Sequence, residues 1–80
     1  MIQVMLFATL AELAGERSVQ LETPSGTTVR QVWDLLQSRY PGLAGHSNRL
    51  LRSVNGLFAN PDTPVNDGDE VAFFPPVSGG

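Results

Sequence analysis

The stretch with the most distinctive chemistry in these eighty residues is the last dozen, Asp69 to Gly80, reading D-E-V-A-F-F-P-P-V-S-G-G. Asp69 to Phe74 alternates and is rich in β-formers, which predicts a strand. Pro75 and Pro76 end its ladder, because neither can donate a backbone N–H. The pair also favours an extended, polyproline-like path. Val77, Ser78, Gly79 and Gly80 follow, with nothing large after Val77. From Pro75 onward the chain can reach roughly 20 Å at about 3.3 Å per residue. A Gly-Gly tip has no Cβ, so it fits a channel too narrow for other residues and accepts either sign of φ. The group such an arm delivers is the terminal carboxylate of Gly80. The same composition also fits an ordinary frayed chain end, and the tail alone does not choose between the two.

Few other residues could do covalent work. There is no cysteine, which removes disulfides, thiolate metal sites, Cys nucleophiles and persulfide carriers together. The five basic residues are all arginine (Arg17, Arg30, Arg39, Arg49 and Arg52), so the N-terminus is the one amine. A protein joining others through its tail could then not readily build chains on itself. The single histidine, His46, falls in a loop of Gly, Ser and Asn with no triad partner or ligand spacing nearby, and is read as a loop residue. Asp62, Asp67, Asp69 and Glu70 form an acidic run without calcium-loop spacing; it is either a set of solvated turns or a docking edge for a basic partner. Nothing resembles a glycine-rich phosphate loop.

The elements that would position the tail come next. Ile2 to Phe7 alternates as a strand with both faces apolar, which predicts that the second face is also covered at least part of the time. Thr9-Leu10-Ala11-Glu12 has capping-box spacing ahead of a short helical turn that stops at Gly15. Val19 to Glu22 predicts a second strand, closed by Pro24-Ser25-Gly26. The main helix begins at Thr28, with Gln31 completing a capping box. Val29, Val32, Trp33 and Leu36 form its apolar stripe, continued by Tyr40, and Pro41-Gly42 ends it. Trp33 on that stripe is a core residue rather than a ligand-stacking one. Leu50 to Val54 predicts a strand, Asn55-Gly56 a tight turn, and Leu57 to Ala59 a short strand.

Strands gathered around one long helix predict an α+β fold, a mixed sheet of four to five strands with the helix packed on one face. The first and last strands are the most apolar and are placed centrally. The pattern is that of a ubiquitin-like β-grasp at residues 1–74, followed by a flexible tail at 75–80. If Val71 and Phe73 face the helix, parity puts Ala72 and Phe74 with Met5 and Phe7 on the opposite face, an apolar patch at the tail root. One such domain buries only about 60% of its unfolded surface. A formal charge of −3 and a pI near 4.7 argue against nucleic acid as a partner. The lack of a signal segment or long apolar run predicts a cytoplasmic protein with no membrane contact.

The opening L-F-A-T-L-A-E-L-A-G, the helix T-V-R-Q-V-W-D-L-L leading to Y-P-G-L, the V-N-G at Val54 to Gly56, and the closing D-G-D-E-V-A-F-F-P-P-V-S-G-G together resemble the small subunits of molybdopterin synthase. The resemblance spans almost the whole chain and departs only around Gly45 to Asn48. It implies a β-grasp sulfur carrier in molybdenum-cofactor biosynthesis, working as a non-catalytic subunit of a heterotetrameric synthase. Gly80 would be adenylated by a ubiquitin-activating-type enzyme and converted to a thiocarboxylate with sulfur from a donor protein. The tail, Pro75 through Gly79, would thread into the large subunit, which holds the catalytic groups, and deliver sulfur to cyclic pyranopterin monophosphate. Met5, Phe7, Ala72 and Phe74 would form the interface with that large subunit. No bound cofactor or metal is implied, the acyl-adenylate and thiocarboxylate being covalent states of the chain. The chemistry is consistent: an α-carboxylate ionises near pH 3.5 and is a poor electrophile until an outside enzyme supplies a leaving group. Related carriers for thiamine or tRNA thiolation, a ubiquitin-like modifier, and an interaction domain with an inert tail are the alternatives.

Overall fold

The computed structural model describes residues 1–76. The elements are β1 (Ile2–Leu6), α1 (Thr9–Ala14), β2 (Ser18–Leu21), α2 (Val29–Arg39), a 3-10 turn (Pro41–Leu43), β3 (Leu51–Val54), β4 (Leu57–Phe58) and β5 (Glu70–Phe74). The strands form one mixed sheet in the order β2-β1-β5-β3-β4, so the first and last strands do lie at its centre. They run parallel, with Val4 opposite Val71 and Leu6 opposite Phe73. The pairs β1–β2, β3–β5 and β3–β4 are antiparallel. This is the β-grasp arrangement expected from the sequence.

The core follows from side-chain parity. Ile2, Val4, Leu6, Val19, Leu21, Val71 and Phe73 are buried on one sheet face, together with Val29, Val32, Trp33 and Leu36 of α2. Burying a side chain of this size stabilises the fold by about 1.5–3 kcal/mol. Trp33 and Phe73 meet with ring centroids 5.0 Å apart, and the indole Nε1–H donates to Ser47 Oγ at 2.7 Å. Trp33 is therefore a satisfied core residue.

The capping box of α2 is complete. Gln31 N donates to Thr28 Oγ1 at 3.3 Å, and Thr28 N donates to Gln31 Oε1 at 2.9 Å. The next free donors of the helix, Val29 N and Arg30 N, are taken by the carbonyls of Thr63 and Pro61. The loop before β5 is thus sewn to the start of the helix.

The capping box expected at Thr9 does not form. Ala8 is the residue that caps α1, without a side-chain hydrogen bond, and Thr9 is already helical. The cause is upstream: Phe7 N still donates to the Phe73 carbonyl, so the chain must reverse in one residue. Ala8 takes the turn at φ 51°, ψ −129°, which costs an L-residue on the order of 1–3 kcal/mol.

Three core contributors escaped the helix and strand patterns: Val65, 1% exposed in the loop before β5, and the two that follow. Leu10 of α1 and Leu43 of the 3-10 turn are both fully buried. Next to Leu43, a Cβ on Gly42 would lie 2.7 Å from the Leu13 carbonyl oxygen of α1. Gly42 therefore permits a close approach to α1, beyond the helix-stopping role read from Pro41-Gly42.

Candidate functional site

The opposite face of the sheet carries an apolar patch at the tail root, beside Gln3, Ser18, Gln20, Ser53 and Glu70. Phe7 stacks on Phe74 with ring centroids 4.6 Å apart and planes 12° from parallel. Leu51 pairs directly with Phe74, and Met5 with Ala72. Phe58 pairs with Ser53, which pairs in turn with Ala72, so Phe58 extends the same face to the sheet edge. Phe7, Leu51 and Phe58 keep 41%, 38% and 83% of their surface exposed. The second face is therefore not fully covered by the described residues, unlike the covering expected from the strand pattern.

Met5, Phe7, Ala72 and Phe74 thus share a face. Ala72 is only 6% exposed, because its methyl sits between Met5 and Ser53 on the flanking strands. It forms floor rather than contact area. Leu51 and Phe58 were missed in the sequence. Both were assigned to strands, but their face depends on the β3–β5 and β3–β4 registers, which alternation within one strand does not reveal. The Asn-Gly turn was a usable signal for Phe58, since it fixes the hairpin register.

The register of β3 on β5 is pinned at the far end of the sheet. Asn55 N donates to the Glu70 carbonyl at 2.7 Å, Glu70 N donates to Asn55 Oδ1 at 2.9 Å, and Asn55 Nδ2 donates to Asp69 Oδ1 at 3.0 Å. Asn66 N donates to the other Asp69 oxygen at 2.7 Å. These bonds, first the Asn66 amide and then Asn55, hold the Asp69 carboxyl below the ordinary aspartate range. Asp67 pairs with the N-terminal amine, and Asp62 with Arg30 at 3.4 Å. The acidic run is thus a set of turn clamps, which favours the solvated-turn reading over a docking edge.

The described residues hold little else that could react. No group of three or more His, Asp or Glu side chains is placed to hold a metal ion among them. The buried polar side chain there is Thr27, whose hydroxyl donates to the Pro24 carbonyl at 2.6 Å. His46 is exposed in its loop. The chain leaves β5 at Phe74, beside the Phe7 ring, and continues through half-buried Pro75 and exposed Pro76. The roles expected of Val77, Ser78, Gly79 and Gly80 lie outside the described residues. No helix among the described residues is long and apolar enough to cross a membrane.

Comparison with known proteins agrees with this picture. The ThiS family profile matches residues 4–80. The chain is 40% identical over 82 residues to the molybdopterin synthase sulfur carrier subunit of Escherichia coli strain K12, covering 100% of both chains. It is 39% identical over 80 residues to the protein of the same name from Mycobacterium tuberculosis, covering 99% of this chain and 96% of that one. The crystal structure of small archaeal modifier protein 1 from Haloferax volcanii superposes with a TM-score of 0.88 at 32% identity, covering 95% of this chain and 97% of that one.

Proposed function

The chain belongs to the ThiS family, and on that premise we propose that it is the sulfur carrier subunit of a molybdopterin synthase. The Gly80 carboxylate attacks the α-phosphoryl group of ATP on a ubiquitin-activating-type enzyme, releasing pyrophosphate and leaving an acyl-adenylate. Sulfide-level sulfur supplied by a donor protein then attacks the acyl carbon and displaces AMP, giving the thiocarboxylate. The loaded tail, Pro75 to Gly80, enters the large subunit and passes its sulfur to cyclic pyranopterin monophosphate, two transfers completing the dithiolene. All of this belongs to the cytoplasm. The catalytic groups sit on the partners, in keeping with a chain whose described residues bury no ionisable side chain.

The observation that carries this reading is the position of the Phe7–Phe74 stack. The residue that begins the arm is half of the exposed aromatic pair, so docking by that face fixes the root of the tail. Aromatic anchors at the centre of an apolar face are the usual holders of binding energy. Holding the root lets the tip be placed within the fraction of an ångström that group transfer requires.

Appending one alanine after Gly80 tests the chemistry directly. The carboxylate moves by up to about 3.5 Å, and sulfur transfer with the partner enzymes supplied falls by at least about 100-fold. Thermal unfolding stays that of the parent. Continued molybdopterin synthesis by the uncleaved extension would overturn the terminal-carboxylate mechanism. The likeness to a small archaeal modifier protein supports a second reading, a modifier joined to amines of target proteins. Intact mass separates the two: sulfur in place of one terminal oxygen marks the carrier, high-mass conjugates the modifier. Loss of thiamine or tRNA thiolation on deletion would mark a carrier shared with those routes.

A further inference from the structure

The charges of this chain are spread unevenly along its sheet. At the end where the tail leaves, the Arg17 carbonyl accepts from Leu6 N at 2.9 Å, one residue short of Phe7. Arg49 lies two residues ahead of Leu51, which pairs with Phe74, and Arg52 pairs with Phe73. β5 thus ends between one arginine on its β1 side and two on its β3 side. Arg39 closes α2 at the same end, three residues before the Gly42 that abuts Leu13. The carboxylates here are Glu12 and Glu16, in and just after α1, and Asp34, which lines one cavity with Arg52. At the opposite end stand Glu22, just past the Ile2–Leu21 pair, and Asp67, Asp69 and Glu70, where β5 begins. Arg30 and Asp62 cancel in their own pair. The formal charge of −3 therefore divides unequally, the termini set aside. Four arginines face three carboxylates at the tail root, and four carboxylates stand alone at the other end.

The arginines of the tail root are also uncommitted. Among the described residues, none of Arg17, Arg39, Arg49 and Arg52 forms an ion pair. Arg17 and Arg49 are exposed. Arg17 shares a cavity with Met5 and Phe7, which joins it to the apolar patch; Glu12 lines that cavity too, without pairing. An apolar centre inside a polar, charged rim is the general build of a protein interface.

We propose that Arg17 and Arg49 are the charged rim of the docking face and steer it, tail root first, onto a partner surface edged with carboxylates. The partner is the large subunit, so the inference rests on the sulfur-carrier reading for that identity. Acidity belongs to the edge of its channel alone. The tail tip and the phosphate of the substrate are anions, and the site that holds them has to be cationic. Rim charges act on the rate of association more than on the lifetime of the complex. The five residues of β5 span about 17 Å at about 3.4 Å each. That exceeds the screening length of roughly 10 Å at 0.1 M salt, so the two ends of the sheet act separately.

The test measures association and dissociation rates of the full-length carrier with the purified large subunit, from about 0.1 to about 1 M salt. The parental association rate is expected to fall as salt rises. Arg17→Gln/Arg49→Gln should associate about three- to tenfold more slowly at the low end and dissociate at the parental rate. The two should merge at about 1 M, where screening reaches roughly 3 Å. Glu22→Gln, at the acidic end, should associate as the parent does, which separates a local field from net charge. All three proteins should melt together, since none of these side chains is paired among the described residues. Anionic and cationic nitroxide probes read the field without a partner. The anionic one should relax the amides of Phe7 and Leu51 more strongly, the cationic one those of Asn66 and Glu70. A salt-independent parental rate, or a double variant as fast as the parent, would overturn the inference. So would Glu22→Gln gaining as much speed as the double variant loses, or probes that favour neither end. Salt-sensitive self-association of the parent alone would overturn it too, giving the rim to a second copy of the chain. If the parent fails to bind the large subunit at all, the carrier reading falls and the acidic edge with it. The probes then still decide whether the tail root carries the field.

Discussion

Phe73 and Phe74 leave the same strand in opposite directions. Phe73 is fully buried against Trp33, whereas Phe74 is half-buried and stacked on Phe7 outside the core. Leu6 and Phe7 repeat the contrast on the neighbouring strand, at 3% and 41% exposure. Large apolar side chains stand on both faces at this end of the sheet, although the outer face also carries Gln3, Ser18, Gln20, Ser53 and Glu70. On the inner face α2 covers them at all times, and burial becomes stability. On the outer face no helix of the described residues does so, and the proposed function assigns that covering to a partner, where burial would become affinity.

The largest expected effect tests the inner half of that contrast. Phe73→Ala should cost about 3–5 kcal/mol by emptying a fully packed position. At about 4–8 °C per kcal/mol for a domain of this size, the melting temperature drops by more than about 12 °C. An intact melting temperature would mean that Phe73 is not the centre of the core. Its neighbour tests the outer half. Phe74→Ala should weaken large-subunit binding by about 2 kcal/mol, in the hot-spot range. Its stability falls by less than that of Phe73→Ala, because the ring lies outside the core and its removal leaves no closed cavity. If calorimetry finds equal affinities, or thermal unfolding finds a drop like that of Phe73→Ala, the two faces do not divide the labour as described.

The smallest effect concerns the clamp that keeps Leu51 beside Phe74. The Asp69 carboxyl is held below its ordinary range, so its contribution is fully present above that range. It is lost as pH falls through the lowered folded value. Melting temperatures measured down an acid series should therefore decline more steeply in the parent than in Asp69→Asn, which lacks the titrating group. Parallel declines would remove Asp69 from the set of register pins. Because the group is exposed, the difference should be small.

Elements with an internal period were legible in the sequence. The stripe and capping box of α2, the alternation of β1 and β5, and the Asn55-Gly56 turn each carry their signal within a few residues. Parity alone brought Met5, Phe7, Ala72 and Phe74 to one face. What remained hidden depends on pairing across the chain. Leu51 joins the face only because it stands opposite Phe74, and Phe58 only because it stands opposite Ser53. Thr9 shows the reverse failure: its capping-box spacing is intact, but the extra ladder bond from Phe7 moves the helix start back to Ala8. Gly42 looks like a simple helix stop until Leu13 is placed beside it.

The central seat of β5 has a mechanical consequence. A strand at the edge of a sheet can be peeled away one bond at a time when its end is pulled. β5 is flanked by β1 on one side and β3 on the other, and ladder bonds lie across the strand direction. Tension along Pro75 therefore loads both ladders at once, in shear, and no single bond bears it alone. A pull on the tail would thus act on a strand held from both sides, as β1 is and the edge strands β2 and β4 are not.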